Sequence, residues 1–190
     1  MASTDAQDLL ETSSNQSKTA SALLVSVLAM ILALASVGGS NSTKEATMNN
    51  ILAANDYAFY QAKNIRQTAY KIAADNLQIL LADEKLNAAS RTLIDAKLKA
   101  YQKNIDRYES EPDTKEGKKE LMLQAKQHEL ERDIALRRDP WFDYAGALLQ
   151  IAIVLTSVAL ITGVRFLLVA SVSLGFIGTL CTVNGFFLLY

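Results

Sequence analysis

Apolar residues gather into three stretches without a charge: "TASALLVSVLAMILALASV" (Thr19 to Val37, 19 residues), "YAGALLQIAIVLTSVALITGV" (Tyr144 to Val164, 21 residues) and "FLLVASVSLGFIGTLCTVNGFFLLY" from Phe166 onward. Crossing the hydrocarbon of a bilayer takes roughly 20 apolar residues, so each stretch predicts a transmembrane helix. A soluble fold would have to bury all three runs beneath a polar remainder too small to enclose them. The expected fold class is therefore an all-α integral membrane protein, with three transmembrane helices and an extramembrane helical hairpin or coiled coil between the first and second.

The expected segments are a disordered acidic tail at 1–18, transmembrane helix 1 at 19–39, the extramembrane helical region at 40–139, transmembrane helix 2 at 140–164 and transmembrane helix 3 at 166–190. Within 40–139 the pattern predicts helices near 43–82, 88–109 and 113–138. The tail is rich in Ser, Thr and Gln and holds little that would offset the entropy of ordering. It is long and carries Asp5, Asp8 and Glu11 against Lys18, which opposes reading the first apolar run as a cleaved signal.

"GGSNST" (Gly38 to Thr43) predicts a stop and a fresh start: Gly38 or Gly39 ends the membrane helix, and Ser42 or Thr43 caps the next. From Lys44 to Leu81 there is neither Gly nor Pro. Met48, Ile51, Asn55, Ala58, Ala62, Ile65, Ala69, Ile72, Asn76 and Ile79 recur at alternating spacings of four and three, which predicts a coiled-coil seam with Asn55 and Asn76 fixing register. The stretch "NDYAFYQAKNIR" sits on this seam. Asn55, Ala58 and Ala62 lie in it and Phe59 beside it, while Tyr57, Tyr60, Gln61, Lys63 and Arg66 flank it or face outward. That predicts an aromatic collar around a tight helix contact, with a ligand or partner patch near Tyr57 and Tyr60 as the competing reading.

In the second predicted helix Ser90 is the expected cap, and Leu93, Ile94, Leu98, Tyr101, Ile105 and Tyr108 form an apolar stripe. Asp113 and Glu116 have capping-box spacing for the third, with Leu121, Leu123, Leu130, Ile134 and Leu136 as its stripe. Asp139 and Pro140 predict the start of the second membrane helix, with Arg137, Arg138, Trp141 and Tyr144 as interface anchors. Small residues set the expected packing in lipid: Ala22, Ser26, Ala29, Ala33 and Ser36 in the first span, and Ser171, Gly175, Gly178, Thr182 and Gly185 in the third. Counted from a turn at Val164 and Arg165, Gln150 falls level with Thr179 and is expected to face the bundle there.

Charge narrows the chemistry. There are 19 Lys and Arg against 20 Asp and Glu, interspersed, which excludes the basic stripe of a nucleic-acid binder. His128 is the only histidine and Cys181 the only cysteine, far apart in the chain, so no metal-ligand set is expected and His128 reads as a solvated helix residue. No carboxylate lies in an apolar run that would lift its pKa to a catalytic value, and the spans hold no ionisable relay apart from Arg165 at the turn. No enzyme activity and no cofactor are expected.

"NDYAFYQAKNIR", above all Tyr57, Tyr60, Gln61, Ala62 and Lys63, together with "ALLQIAIVLTSVALIT" leading into "VASVSLGFIGTL", resembles a bacterial family of membrane proteins catalogued as domain of unknown function 4337. The resemblance covers about residues 19–185. It implies the cytoplasmic (inner) membrane, and a cytoplasmic turn between the last two spans, because family members tend to carry several Arg there. Here that turn keeps only Arg165. Lys44, Arg137 and Arg138 flank the membrane on the side of the helical region, against Lys18 and Arg165 on the other, yet a region of this length is translocated largely regardless of charge. The expected placement of the helical region is periplasmic. The expected partners are the lipid bilayer and either further copies of the chain or another membrane or envelope protein. The function expected is a scaffold or accessory protein; a small oligomeric channel and a ligand-binding sensor are the alternatives.

Overall fold

The computed structural model describes residues 19–189 in full; before Thr19 no side chain of the first helix is described, and the tail expected at residues 1–18 lies outside the fully described residues. The elements are α1 (Ala2–Leu81), α2 (Ala88–Glu109), α3 (Lys118–Thr162) and α4 (Arg165–Phe187), and no strand occurs among the described residues. α1, α3 and α4 each hold a segment long and apolar enough to cross a membrane. The chain divides into two compact units, one of Met1–Ala46 with Asp133–Tyr190 and one of Thr47–Arg132.

Two predicted helix boundaries are absent. α1 passes through "GGSNST" unbroken. Glycine costs a helix interior about 1 kcal/mol, but here its bareness is needed for packing: a Cβ on Gly38 would run into the Phe142 ring, and one on Gly39 would stand 3.2 Å from the Phe142 Cβ. Thr43 does not cap a new helix. Its hydroxyl lies 3.1 Å from the Gly39 carbonyl and 3.0 Å from Asp139 Oδ1. α3 likewise contains Pro140 instead of starting at it. Proline removes one ladder bond at a cost of about 3 kcal/mol or more, and the buried Ala135, Phe142 and Ala145 hold the helix together on either side.

Two caps also differ from expectation. Asn87, not Ser90, caps α2, its side-chain oxygen accepting from the Ser90 N–H at 2.7 Å. α3 begins at Lys118 and not near Asp113, because the chain first turns through Lys115 at φ 57°. Glu120 clamps that turn, accepting from the Ser110 hydroxyl at 2.6 Å and the Glu111 N–H at 3.1 Å. The Ser110 hydroxyl is the first cause of a Glu120 carboxyl held below its usual range.

In the first unit, Leu28 and Ala35 of α1 pack with Phe142, Ala145, Leu149 and Ala152 of α3. α4 joins through its small residues. An added Cβ would come within 2.6 Å of Leu28 at Gly175, 2.9 Å of Leu149 at Gly178 and 2.8 Å of Phe142 at Gly185. Those glycines let α4 approach closely, the arrangement that drives helix association where packing rather than water exclusion does the work. The buried Thr156 and Ser171 hydroxyls meet across α3 and α4, and Ser171 also donates to the Ala152 carbonyl at 2.7 Å.

In the second unit, α2 lies along the Gln67–Leu81 part of α1 and α3 along its Asn49–Gln67 part. Rising numbers on α1 meet falling numbers on both partners: Gln67 meets Ile105 and Glu109, and the Leu81 carbonyl accepts from Arg91, while Asn49 meets His128 and Gln67 meets Lys118. Tyr70 stacks against Tyr101 and Tyr108 at ring-centroid distances of 5.4 and 5.9 Å.

Candidate functional site

α1 does carry a heptad seam in the second unit, but on the face opposite to the apolar row. The residues turned toward α2 and α3 are Asn49, Ala53, Asp56, Tyr60, Lys63, Gln67, Tyr70 and Ala74, spaced by alternating fours and threes. Gln67 is 2% exposed and its side chain is fully used: Nε2 donates to the Ile105 carbonyl at 2.9 Å and to Glu109 at 3.0 Å, and Oε1 accepts from Lys118 at 2.9 Å. Glu109 is held below the usual carboxylate range, first by the Gln67 amide and then by Lys118, against the opposing effect of burial. His128 is half-buried rather than solvated, with Nδ1 3.2 Å from Asn49 Oδ1 and Nε2 3.7 Å from Asp56 Oδ2. It is not solvated as expected because α1 packs against this face of α3.

The row expected to form the seam faces outward. Met48, Ile51, Ile65, Ile72 and Ile79 are 50 to 71% exposed, and Asn55, Ala58, Ala62, Ala69 and Asn76 are exposed among them. The apolar row therefore faces away from the rest of its own chain, and a polar row of the same period packs inside. Within "NDYAFYQAKNIR" the structure separates residues that the sequence grouped. Tyr57 and Tyr60 turn inward instead of flanking. Burial, reinforced by the neighbouring Glu129 carboxylate, pushes the Tyr57 phenol above its usual pKa, and the Lys118 ammonium stands 5.5 Å from the Tyr60 ring centre. Lys63 is also turned inward, paired with Glu116 at 3.2 Å. Phe59, Gln61 and Arg66 stay exposed. There is no continuous aromatic collar.

A groove of about 960 Å³ opens beside this stretch, with Phe59, Arg66, Arg107, Tyr108 and Lys115 in its lining. The Arg107 guanidinium lies over the Tyr108 ring, 5.4 Å from its centre. Among the described residues no group of three or more His, Cys, Asp or Glu is arranged to hold a metal ion.

The family model for Domain of unknown function (DUF4337) matches residues 17–188, which takes in the full extent of α2, α3 and α4. The chain belongs to the DUF4337 family. No curated protein and no solved structure matches it.

The remaining predicted residues of this DUF4337 chain lie in its first unit. Ser171, Gly175, Gly178 and Thr182 are buried on α4 against α1 and α3, while Thr179 is half-buried and donates to the Gly175 carbonyl at 2.8 Å. Gln150 does not meet Thr179. It is exposed, and Leu149 is the residue that packs against Gly178. Counting the register from the turn put Gln150 at the right height but could not fix its rotation about the helix. The small residues Ala22, Ser26, Ala29, Ala33 and Ser36 of α1 are also exposed, unlike those of α4. Arg138 pairs with Glu45 at 3.7 Å and Arg137 is exposed. Trp141 meets Tyr144 edge to face with ring centres 6.5 Å apart.

Proposed function

We propose that this chain is a membrane-anchored helical scaffold of the bacterial cytoplasmic membrane, which binds further copies of itself through the outward row of α1 and carries no catalytic activity of its own. The observation that carries this reading is an inversion: α1 spends Asn49, Asp56, Lys63 and Gln67 on its own chain and leaves Met48, Ile51, Ile65, Ile72 and Ile79 to the outside. Fully burying an Ile or Met contributes about 1.5–3 kcal/mol, so covering five residues already partly shielded stabilises an assembly by roughly 5–10 kcal/mol. Anchoring in one bilayer reduces the freedom lost on association and raises the effective concentration.

The occupant is a second copy because the row is self-complementary at heptad spacing. Copies anchored in the same membrane present it in the same direction, which brings Asn55 opposite Asn55 and Asn76 opposite Asn76 and fixes register. In this reading residues 19–39, 140–164 and 166–190 span the bilayer. Residues 40–139 form a helical hairpin, one leg of which is broken at the Pro112 turn, on the periplasmic side. A ligand-sensing role is the second reading, favoured by the groove beside Arg66 and Arg107. A pore through the small residues of α4 is disfavoured, since Leu28, Leu149 and Phe142 already fill that face.

The test is the absolute mass by light scattering of the full chain in mild detergent. The expected result is a discrete oligomer that dissociates in the Ile65→Asp, Ile72→Asp double variant while helical circular dichroism is retained. A well-folded wild-type monomer, or a double variant of unchanged mass, overturns the proposal.

A further inference from the structure

The apolar stretches carry several exposed polar side chains, and most are satisfied inside their own helix. The hydroxyls of Ser26, Ser36, Thr162 and Ser173 each donate to the carbonyl four residues earlier, at 2.9 to 3.0 Å. Gln150 makes no such bond. Its amide bears two N–H donors and a carbonyl acceptor, none of which is bonded among the described residues, and it lies on an outward face with Ala147, Ile151, Val154 and Val158. It stands six residues beyond Tyr144, about 9 Å along the helix, farther than a Gln side chain reaches back toward the interface. An unpaired amide in hydrocarbon carries a heavy desolvation penalty with no water to relieve it.

We infer that Gln150 marks a lateral contact within the bilayer at which α3 of one copy meets α3 of a second across a two-fold axis. The amide is its own complement: on a two-fold axis each Gln150 carbonyl accepts from the other's N–H, so one residue type satisfies both sides of an isologous interface. Ala147, one turn away on the same face, leaves the room that close approach needs, and Ile151 and Val154 supply the surrounding apolar contact. A lipid tail has neither donor nor acceptor to offer. The inference rests on the reading that α3 crosses the membrane, but not on the outward row of α1, so the two surfaces are separable.

The experiment uses the full chain reconstituted in phosphatidylcholine vesicles, in a Cys181→Ala background carrying Ala147→Cys as the cross-linking position. Oxidation is expected to yield a disulfide-linked dimer. Adding Gln150→Leu, which keeps the helix and improves its match to lipid, is expected to shift the dilution midpoint for cross-linking by about tenfold, the scale of an interhelical side-chain hydrogen bond in a membrane. Gln150→Asn, which keeps the amide on a shorter stem, is expected to fall between the two. Three outcomes sink the inference: no cross-link at Ala147→Cys, an unchanged midpoint for Gln150→Leu, or Gln150→Asn weaker than Gln150→Leu. If cross-linking at Ala147→Cys fails while the oligomer sensitive to Ile65 and Ile72 persists, the lateral contact falls and the scaffold reading stands. If the cross-link responds to Gln150 but the mass ignores Ile65 and Ile72, the lateral contact stands and the α1 row falls.

Discussion

Replacing Gln67 by Leu removes a buried, three-bonded side chain from the second unit without changing its volume much. Three hydrogen bonds vanish: to the Ile105 carbonyl at 2.9 Å, to Glu109 at 3.0 Å and from Lys118 at 2.9 Å. Neutral hydrogen bonds contribute about 0.5–1.5 kcal/mol and those to charged groups about 1.5–3 kcal/mol. The loss is smaller than their sum, because Glu109 and Lys118 keep each other at 3.3 Å and Leu gains apolar burial. The expected destabilisation is about 2–3 kcal/mol at pH 7, which corresponds to roughly 30- to 150-fold less protection from amide hydrogen exchange. The amides of α2 around Ile105 in the full chain report it.

The same variant has a pH signature. Folded Glu109 binds its proton more weakly than the unfolded chain does, and Gln67 is the first cause. The network therefore contributes fully above the unfolded value of about 4.3 and loses its contribution as the pH falls through the depressed folded value. The wild-type to variant protection ratio is expected to be widest near pH 7 and to shrink below about pH 4. A ratio under about threefold at pH 7, or one that holds constant down to pH 3, refutes the reasoning.

Gly178→Val places a Cβ 2.9 Å from the Leu149 Cγ and adds two methyls beyond it, so thermal unfolding should show a loss of about 1–3 kcal/mol from overpacking. Ser171→Ala removes the buried clasp on Thr156 and the Ala152 carbonyl and should cost about 1 kcal/mol, read as a lower melting temperature of the first unit. Lys115→Gly relieves the left-handed backbone at φ 57° and should leave stability unchanged or raise it by up to about 1 kcal/mol, where Lys115→Val should lower it.

Hydropathy and period were local properties, and the sequence determined what depends on them: three apolar segments, helices without strands, the span of α2 and the tight turn before α4. It also marked the glycines of α4 as contact points, while the matching stripe of small residues on α1, Ala22 to Ser36, stays exposed. Rotation about a helix axis was not local. The polar line from Asn49 to Gln67 has the same heptad spacing as the apolar row from Met48 to Ile79, so ranking by hydrophobicity selected the outer line. Only the partners on α2 and α3, among them Glu109, Lys118 and His128, decide which line is inside. Gly38, Gly39 and Pro140 read as helix ends because each lowers helix propensity. Tertiary packing overrode that preference, since Phe142 needs the space the glycines leave and buried neighbours hold the helix around the proline. Gln150 followed the same rule: its depth was countable from the turn, and its direction was set by Leu149 occupying the face against α4.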